Sequence, residues 1–261
     1  SETVSWAQLL DKVCQSANLF RSLGVGEGDV VALVLPNAME TIYATLGGMV
    51  AGIVNPINPM LDSEQIASIL QETKAKVVVT LKAFPKTDVA QKVAMAVRDC
   101  PGVETVLEVD LNRYLSPPKS WLVPLLRPKM PVTHHAKVLS FVPEMARQPK
   151  QLSFEDRQVD RVAAYFHTGG TTGMPKVAQH LNEGIVYNGW LGATLLFSET
   201  DNIMCPLPMF HVFACQVMLM GAVMSGAHVV FPTPAGYRGD GVFDNFWKLC
   251  ERWKITFITT V

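Results

Sequence analysis

The stretch TGGTTGMPK, Thr168 to Lys176, gathers three threonines, three glycines and a lysine. Glycines let successive backbone N–H groups turn toward one point. Threonine hydroxyls add donors beside them and the lysine adds charge, a combination suited to phosphate oxygens. Hydrogen bonds to a charged group contribute about 1.5–3 kcal/mol each, so a handful of such donors could hold a triphosphate tail. The stretch is not a Walker A loop. That motif needs lysine directly after its last glycine, whereas Met174 and Pro175 separate Gly173 from Lys176, and Pro175 stops the loop from running straight into a helix. On its chemistry alone, the stretch is either a phosphate cradle or a glycine-rich connector.

A second candidate is His211, within LPMFHVFA (Leu207 to Ala214). A lone histidine in an apolar run is either a satisfied core residue or a functional group, and its own context leaves both open. His180, His228, Pro206 and Pro208 read as structural. Adjacent side chains point in different directions, so His134 and His135 do not suit a shared metal. The five cysteines, Cys14, Cys100, Cys205, Cys215 and Cys250, are scattered without paired spacing and read as reduced cytosolic thiols filling the core.

The elements that must position these groups alternate along the chain. WAQLLDKVCQSANLFRSLG places Leu9, Leu10, Val13, Ala17 and Phe20 on one helical face, with Gly24 as a stop signal. After a turn at Gly26 to Asp29, VVALVLP (Val30 to Pro36) is apolar on both faces, as a parallel strand requires. Asn37 is placed to cap the next helix. Asp62 and Gln65 form a capping-box start to another, and Lys76 to Thr80 is a further buried strand. A helix (Val89 to Asp99) and a strand (Val103 to Val109) repeat the pattern. Such alternation implies right-handed crossovers and a largely parallel, doubly wound sheet.

Two segments depart from it. Leu111 to His135 carries prolines 117, 118, 124, 128 and 131, which forbid a regular element and make it a long surface excursion. Val212 to Phe231 is nearly all apolar and long enough to span a bilayer, but Gln216, Ser225 and His228 interrupt it. SGAH (Ser225 to His228) reads as a turn between a buried helix and a strand, so no transmembrane span is expected. The chain has 261 residues, 49% hydrophobic, with a formal net charge of −1. That size supports one large or two interlocked α/β domains, and the charge argues against nucleic acid as a partner.

Thr168 to Lys176 resembles the phosphate-binding signature of the adenylate-forming (AMP-binding) superfamily, which includes acyl-CoA synthetases, luciferases of the firefly type and peptide-synthetase adenylation domains. Gly169 stands where serine or threonine is common, and Val177 where glycine usually follows the lysine. LGVGEGDVVALVLPNAMETIYATLGGMVAGIVNPINPML is similar to the family's N-terminal segment. Leu207 to Ala214 resembles its proline–phenylalanine–histidine motif, and Trp253 to Val261 a strand that follows it.

The resemblance implies an α/β fold of two discontinuous doubly wound, mostly parallel-sheet lobes. Residues 1–45 with 200–261 would form one lobe, and 46–199 the other, carrying the phosphate loop 168–176. It implies activation of a carboxylic acid, in this reading a fatty acid, by ATP to an acyl-adenylate, followed by transfer to coenzyme A. Thr168, Gly169, Gly170, Thr171, Thr172, Gly173 and Lys176 would bind the ATP phosphates, and Thr168 would also reach magnesium. His211 would be catalytic, at the junction of the acyl pocket and the phosphate loop, orienting the carboxylate or gating the tunnel. ATP, magnesium and coenzyme A are the implied cofactors and co-substrates. The location implied is cytoplasmic, compatible with peripheral membrane association. Family members are longer, so the chain is expected to be an N-terminal part that folds, binds phosphate weakly and does not turn over, with an exposed edge prone to self-association. An aryl-CoA ligase, an amino-acid adenylation domain and a non-catalytic nucleotide-binding module are the alternatives.

Overall fold

The computed structural model describes residues 2–168 and 176–260. The chain forms two compact units, residues 1–35 with 43–157, and residues 36–42 with 158–261.

The first unit opens with helix α1 (Trp6–Ser22), capped by Ser5 in a capping box with Gln8. Strand β1 (Val30–Val34) follows the 26–29 turn, which Asp29 closes by accepting from the Gly26 N–H at 2.7 Å. Then come α2 (Met39–Ala51), β2 (Ile53–Pro56), α3 (Ser63–Glu72), β3 (Ala75–Leu81), α4 (Val89–Arg98) and β4 (Thr105–Val109). After an excursion, β5 (Lys137–Ser140) and α6 (Phe141–Ala146) complete the unit. The strands are parallel in the order β5-β4-β3-β1-β2. From β1 to β2 the chain moves one way; from β2 to β3 and on to β5 it moves the other. Right-handed crossovers therefore put α2 on one face and α3 and α4 on the opposite face, which makes the sheet doubly wound as expected. Val30 to Val34 are buried on both sides, and the Asp62–Gln65 capping box at α3 is present.

The face of α1 differs from its apolar pattern. Leu9, Ala17 and Phe20 are buried, but Leu10 is 63% exposed, while Gln15, Ser16 and Asn18 are buried. Gln15 donates to the Gln148 carbonyl at 2.9 Å. Asn18 Nδ2 donates to the carbonyls of Pro149 (3.0 Å) and Gln151 (2.8 Å), and its Oδ1 accepts from Ser153 N–H and Oγ–H, both at 2.9 Å. One buried amide thus fastens the irregular 149–153 segment. Asn18→Ala is expected to destabilise the chain by about 2 kcal/mol, because the segment's groups reach water only after it detaches. A urea melt with an unshifted midpoint would contradict this.

The proline-rich excursion contains an ordered helix, contrary to the sequence expectation. A short 3₁₀ turn (Leu111–Tyr114) leads to α5 (Lys119–Leu126), with Pro124 inside it. Pro118 precedes the first turn, where a missing N–H costs nothing. Pro124 cannot donate to the Ser120 carbonyl, but Asn112 Nδ2 does so instead at 3.1 Å. The carbonyl that Pro124 leaves without its helical donor thus has a partner.

The second unit contains the antiparallel pair β6 (Val162–His167) and β7 (Val177–Leu181), then α7 (Asn182–Leu195) and β8 (Asn202–Met204). A π-helix (Phe213–Leu219) continues into α8 (Met220–Ser225), followed by β9 (His228–Val230), α9 (Phe246–Trp253) and β10 (Phe257–Ile258). Strands β10-β8-β9 form a small parallel sheet. The apolar run from Val212 breaks at Gly226, whose φ of 79° is the left-handed conformation that ends a helix. Among the described residues no helix is long and apolar enough to cross a membrane.

These units differ from the expected division at 45/46 and 199/200. β1 pairs with both β2 and β3, so residues before 36 join the middle of the chain instead of its C-terminal part. The hairpin bearing Thr168 and Lys176 lies with 200–261. The discontinuity itself was expected, but its boundaries depend on strand pairing that periodicity does not reveal.

Candidate functional site

β6 and β7 pair in register from Phe166↔Ala178 to His167↔Val177. Just beyond them the Thr168 N–H donates to the Lys176 carbonyl at 2.9 Å, and Thr168 Oγ1 donates to the same carbonyl at 3.3 Å. The strands therefore close on a neck formed by Thr168 and Lys176, whose side chains are both exposed. Gly169, Gly170, Thr171, Thr172 and Gly173 lie outside the described residues. At the other end of the hairpin, the Asn182 N–H donates to the Arg161 carbonyl at 2.9 Å, and the Glu183 N–H to Asp160 Oδ1 at 3.0 Å. That carboxylate satisfies a free N–H in the first turn of α7, so both ends of the hairpin are fastened.

His211 follows a segment anchored by Asn37. The side chain of Asn37 is buried; its Nδ2 donates to the Leu207 carbonyl at 2.8 Å and its Oδ1 accepts from the Met209 N–H at 2.9 Å. Its backbone N–H donates to the Pro234 carbonyl at 3.0 Å. The expected helix cap is thus absent. The amide that the sequence assigns to α2 instead clamps LPM (Leu207 to Met209), two residues before His211. Gly236 completes the arrangement. It holds φ at 59°, and a Cβ there would meet the Pro206 carbonyl oxygen at 1.8 Å, so only glycine lets the 233–239 turn approach this segment. His211 itself is exposed, and its Nδ1 faces the Phe213 N–H at 3.4 Å.

The π-helix begins directly after this histidine. Its wide turn buries Gln216, whose Nε2 has no hydrogen-bond partner among the described residues. Wide turns of this kind are rare and collect at functional sites. His180, read as structural, sits edge-on to Phe166 with ring centroids 5.3 Å apart. Burial pushes the His180 imidazole below its ordinary range, and the nearby Gln216 amide only partly offsets this. As pH falls through the normal histidine range, near 6.5, the unfolded chain takes up a proton that folded His180 resists. Stability therefore declines on acidification. His180→Leu is expected to flatten that decline between pH 7 and 5.5; parallel curves for both proteins would contradict it.

The remaining candidates behave as ordinary structure. His135 Nε2 meets the Val103 carbonyl at 2.9 Å. Burial pushes the Cys205 and Cys215 thiols up to about 12, so both are inert protonated core groups. Among the described residues no group of three or more His, Cys, Asp or Glu is placed to hold a metal ion. Sequence reading missed Asn37 and Gln216. Gln216 had a signal, a lone amide in an apolar run; Asn37 had none that named its distant partners.

Comparisons with known proteins converge. A family model described as "AMP-binding enzyme" matches residues 1–261. The marinolic acid–CoA ligase of Pseudoalteromonas sp. is 28% identical over 98% of this chain and 37% of its own length. The long-chain-fatty-acid–CoA ligase of Bacillus subtilis is 24% identical over 87% of this chain and 41% of its own. Among solved structures, ATP-bound MatB from Rhodopseudomonas palustris matches with a TM-score of 0.74 and 21% identity, over 97% of this chain and 43% of that one. The anthranilate CoA ligase AuaEII in complex with anthranoyl-AMP matches with a TM-score of 0.74 and 20% identity, over 96% of this chain and 42% of that one. At these identities the structural likeness shows the fold. The chain thus spans well under half the length of these relatives.

Proposed function

Because the chain belongs to the AMP-binding enzyme family, we propose that it serves as the phosphate-binding and acid-orienting part of an ATP-dependent acid–thiol ligase. The observation that carries this reading is the closed hairpin neck. Thr168 and Lys176 are bonded to each other, which brings together the two ends of a stretch whose residue types, glycine and threonine, are those suited to phosphate oxygens.

In this reading Lys176 and the donors of 169–173 hold the β- and γ-phosphates of ATP and stabilise the negative charge that develops on departing pyrophosphate, while Thr168, expected from sequence to bind phosphate as well, gives both its N–H and its O–H to the Lys176 carbonyl. His211, held in place through Asn37, donates from Nε2 to the incoming carboxylate and orients it toward the α-phosphorus. The carboxylate oxygen forms its bond to that phosphorus as the bond to pyrophosphate breaks. Coenzyme A thiolate then attacks the acyl carbon and AMP leaves. Thr168 Oγ1 donates to a backbone carbonyl and keeps its lone pairs, so it suits a magnesium ion carried in on the nucleotide, which would neutralise phosphate charge.

A fatty acid is the proposed acid, supported by PMFHVFA and by the Bacillus subtilis relative's name. The relative named for 4-coumarate supports the alternative aryl-CoA ligase reading, and those named for acetate and sulfoacetate act on short acids. Since the chain covers 37–43% of the relatives described above, the adenine- and ribose-binding groups are proposed to come from further sequence, and this chain alone to bind without turnover. The test is carboxylate-dependent ATP–pyrophosphate exchange on this chain and on a form extended to its relatives' length, with a panel of fatty, aryl and amino acids. Exchange in the extended form alone, with a fatty acid, supports the adenylation step, the acid class and the inactivity of this chain alone. Turnover by this chain alone removes the inactivity proposal, and silence in both removes the ligase.

A further inference from the structure

Helix α5 presents an apolar face that the rest of its unit leaves open. Trp121 is 70% exposed, Leu122 50%, Leu125 81% and Leu126 62%, while Val123 points inward and is buried. The four exposed residues recur at i, i+1, i+4 and i+5, so they share one side of the helix. Met130 extends the patch beyond the C-terminus. The helix is held in a set pose. Arg127 donates to the Ala83 carbonyl and to Asp110 (2.6 Å), and Asn112 braces Ser120. A firmly held ridge of this kind is not a loop left bare by chance; exposed apolar clusters on monomers usually mark a contact surface.

The surrounding charge is one-sided. Residues 111–135 contain Arg113, Lys119, Arg127 and Lys129 and no aspartate or glutamate. Arg113 pairs with Glu2 and Arg127 with Asp110. Lys119 and Lys129, at either end of the apolar face, are exposed and belong to no ion pair among the described residues. A second exposed apolar group, Phe243 and Trp247 near α9, has Asp240 and Asp244 beside it and lacks this character.

We propose that α5 and its flanks dock onto the surface of an anionic phospholipid membrane. Trp121, Leu122, Leu125 and Leu126 enter the interface between headgroups and acyl chains, and Lys119 and Lys129 pair with lipid phosphates. An eight-residue helix, about 12 Å long, lies in that interface and does not cross the bilayer. Tryptophan suits this depth because its ring is apolar and its N–H polar. Glu2 and Asp110 are each paired with an arginine, which leaves Lys119 and Lys129, among the described residues, as the unpaired charges at the ends of the apolar face, a sign that fits an anionic headgroup layer.

The test is co-sedimentation of the chain with vesicles of phosphatidylcholine alone and of phosphatidylcholine with phosphatidylserine. Association is expected with the second, at least about tenfold weaker with the first, and reduced by salt. Leu122→Asp with Leu125→Asp abolishes it, and Lys119→Glu with Lys129→Glu lowers it tenfold or more, at about fivefold per lysine. Trp247→Asp leaves it unchanged. All these positions are exposed, so circular dichroism should match the parent. Quenching of tryptophan fluorescence by brominated lipid, lost in Trp121→Phe, reads insertion on the otherwise unaltered chain. Failure to bind either vesicle, or binding that survives the Leu122/Leu125 change, overturns the proposal.

Discussion

Lys176→Ala is expected to weaken binding of ATP or inorganic triphosphate to this chain about 10- to 100-fold, the equivalent of one charge-assisted hydrogen bond at 1.5–3 kcal/mol. In a form competent for ATP–pyrophosphate exchange, kcat/KM should fall by at least as much, because charge on departing pyrophosphate grows in the transition state. The fold should not suffer. The Lys176 side chain is exposed, and it is the backbone carbonyl of Lys176, unaffected by the substitution, that accepts both bonds from Thr168. Lys176→Arg should restore part of the affinity, since charge remains while the point-like ammonium is lost. Titration calorimetry with triphosphate, at two salt concentrations, reads the effect directly: the loss should shrink as salt screens the lysine. Equal affinity in both proteins would take Lys176 out of the site.

The elements legible in the sequence were those whose stabilisation is local. The Asp62–Gln65 capping box spans three residues, and Val30 to Val34 announces its burial on both faces by composition. The turn at Ser225 to His228 was visible because glycine, serine and histidine interrupt an apolar run, and Gly226 holds the positive φ found there. What stayed hidden depends on partners far along the chain. Asn18 reads as a solvated polar position on α1 until the 149–153 backbone, more than 130 residues away, arrives to use its amide. α5 was hidden because a proline census counts lost donors and not the side chains that replace them; Asn112 is such a replacement. The π-helix after His211 follows neither helical nor strand period, so no periodicity argument finds it. At the candidate site, residue types in Thr168 to Lys176 suggested phosphate, whereas the meeting of Thr168 with Lys176 came from pairing Val162–His167 with Val177–Leu181.

Asn37 carries the second large expectation. The residue bonds the backbone on both sides of Pro208, up to two residues before His211. Asn37→Ala should destabilise the chain by about 2–6 kcal/mol. Leu207 and Met209 are themselves buried, so their orphaned carbonyl and N–H each lose a partner without gaining water, at about 1–3 kcal/mol apiece. Asn37→Asp separates the amide's two roles. Its carboxylate can still accept from Met209 but confronts the Leu207 carbonyl without a proton to offer. Burial and that carbonyl favour the protonated acid, which raises the folded-state pKa above the unfolded value. Stability contributed by the protonated form is then present at low pH and lost as pH rises through the folded pKa, a slope the parent asparagine cannot show. Because Leu207 to Met209 set the position of His211, both variants should also lose exchange activity under conditions where they remain folded. A variant that keeps full stability would show that the amide clamp holds nothing. A variant that stays active while destabilised would show that His211 finds its place without it.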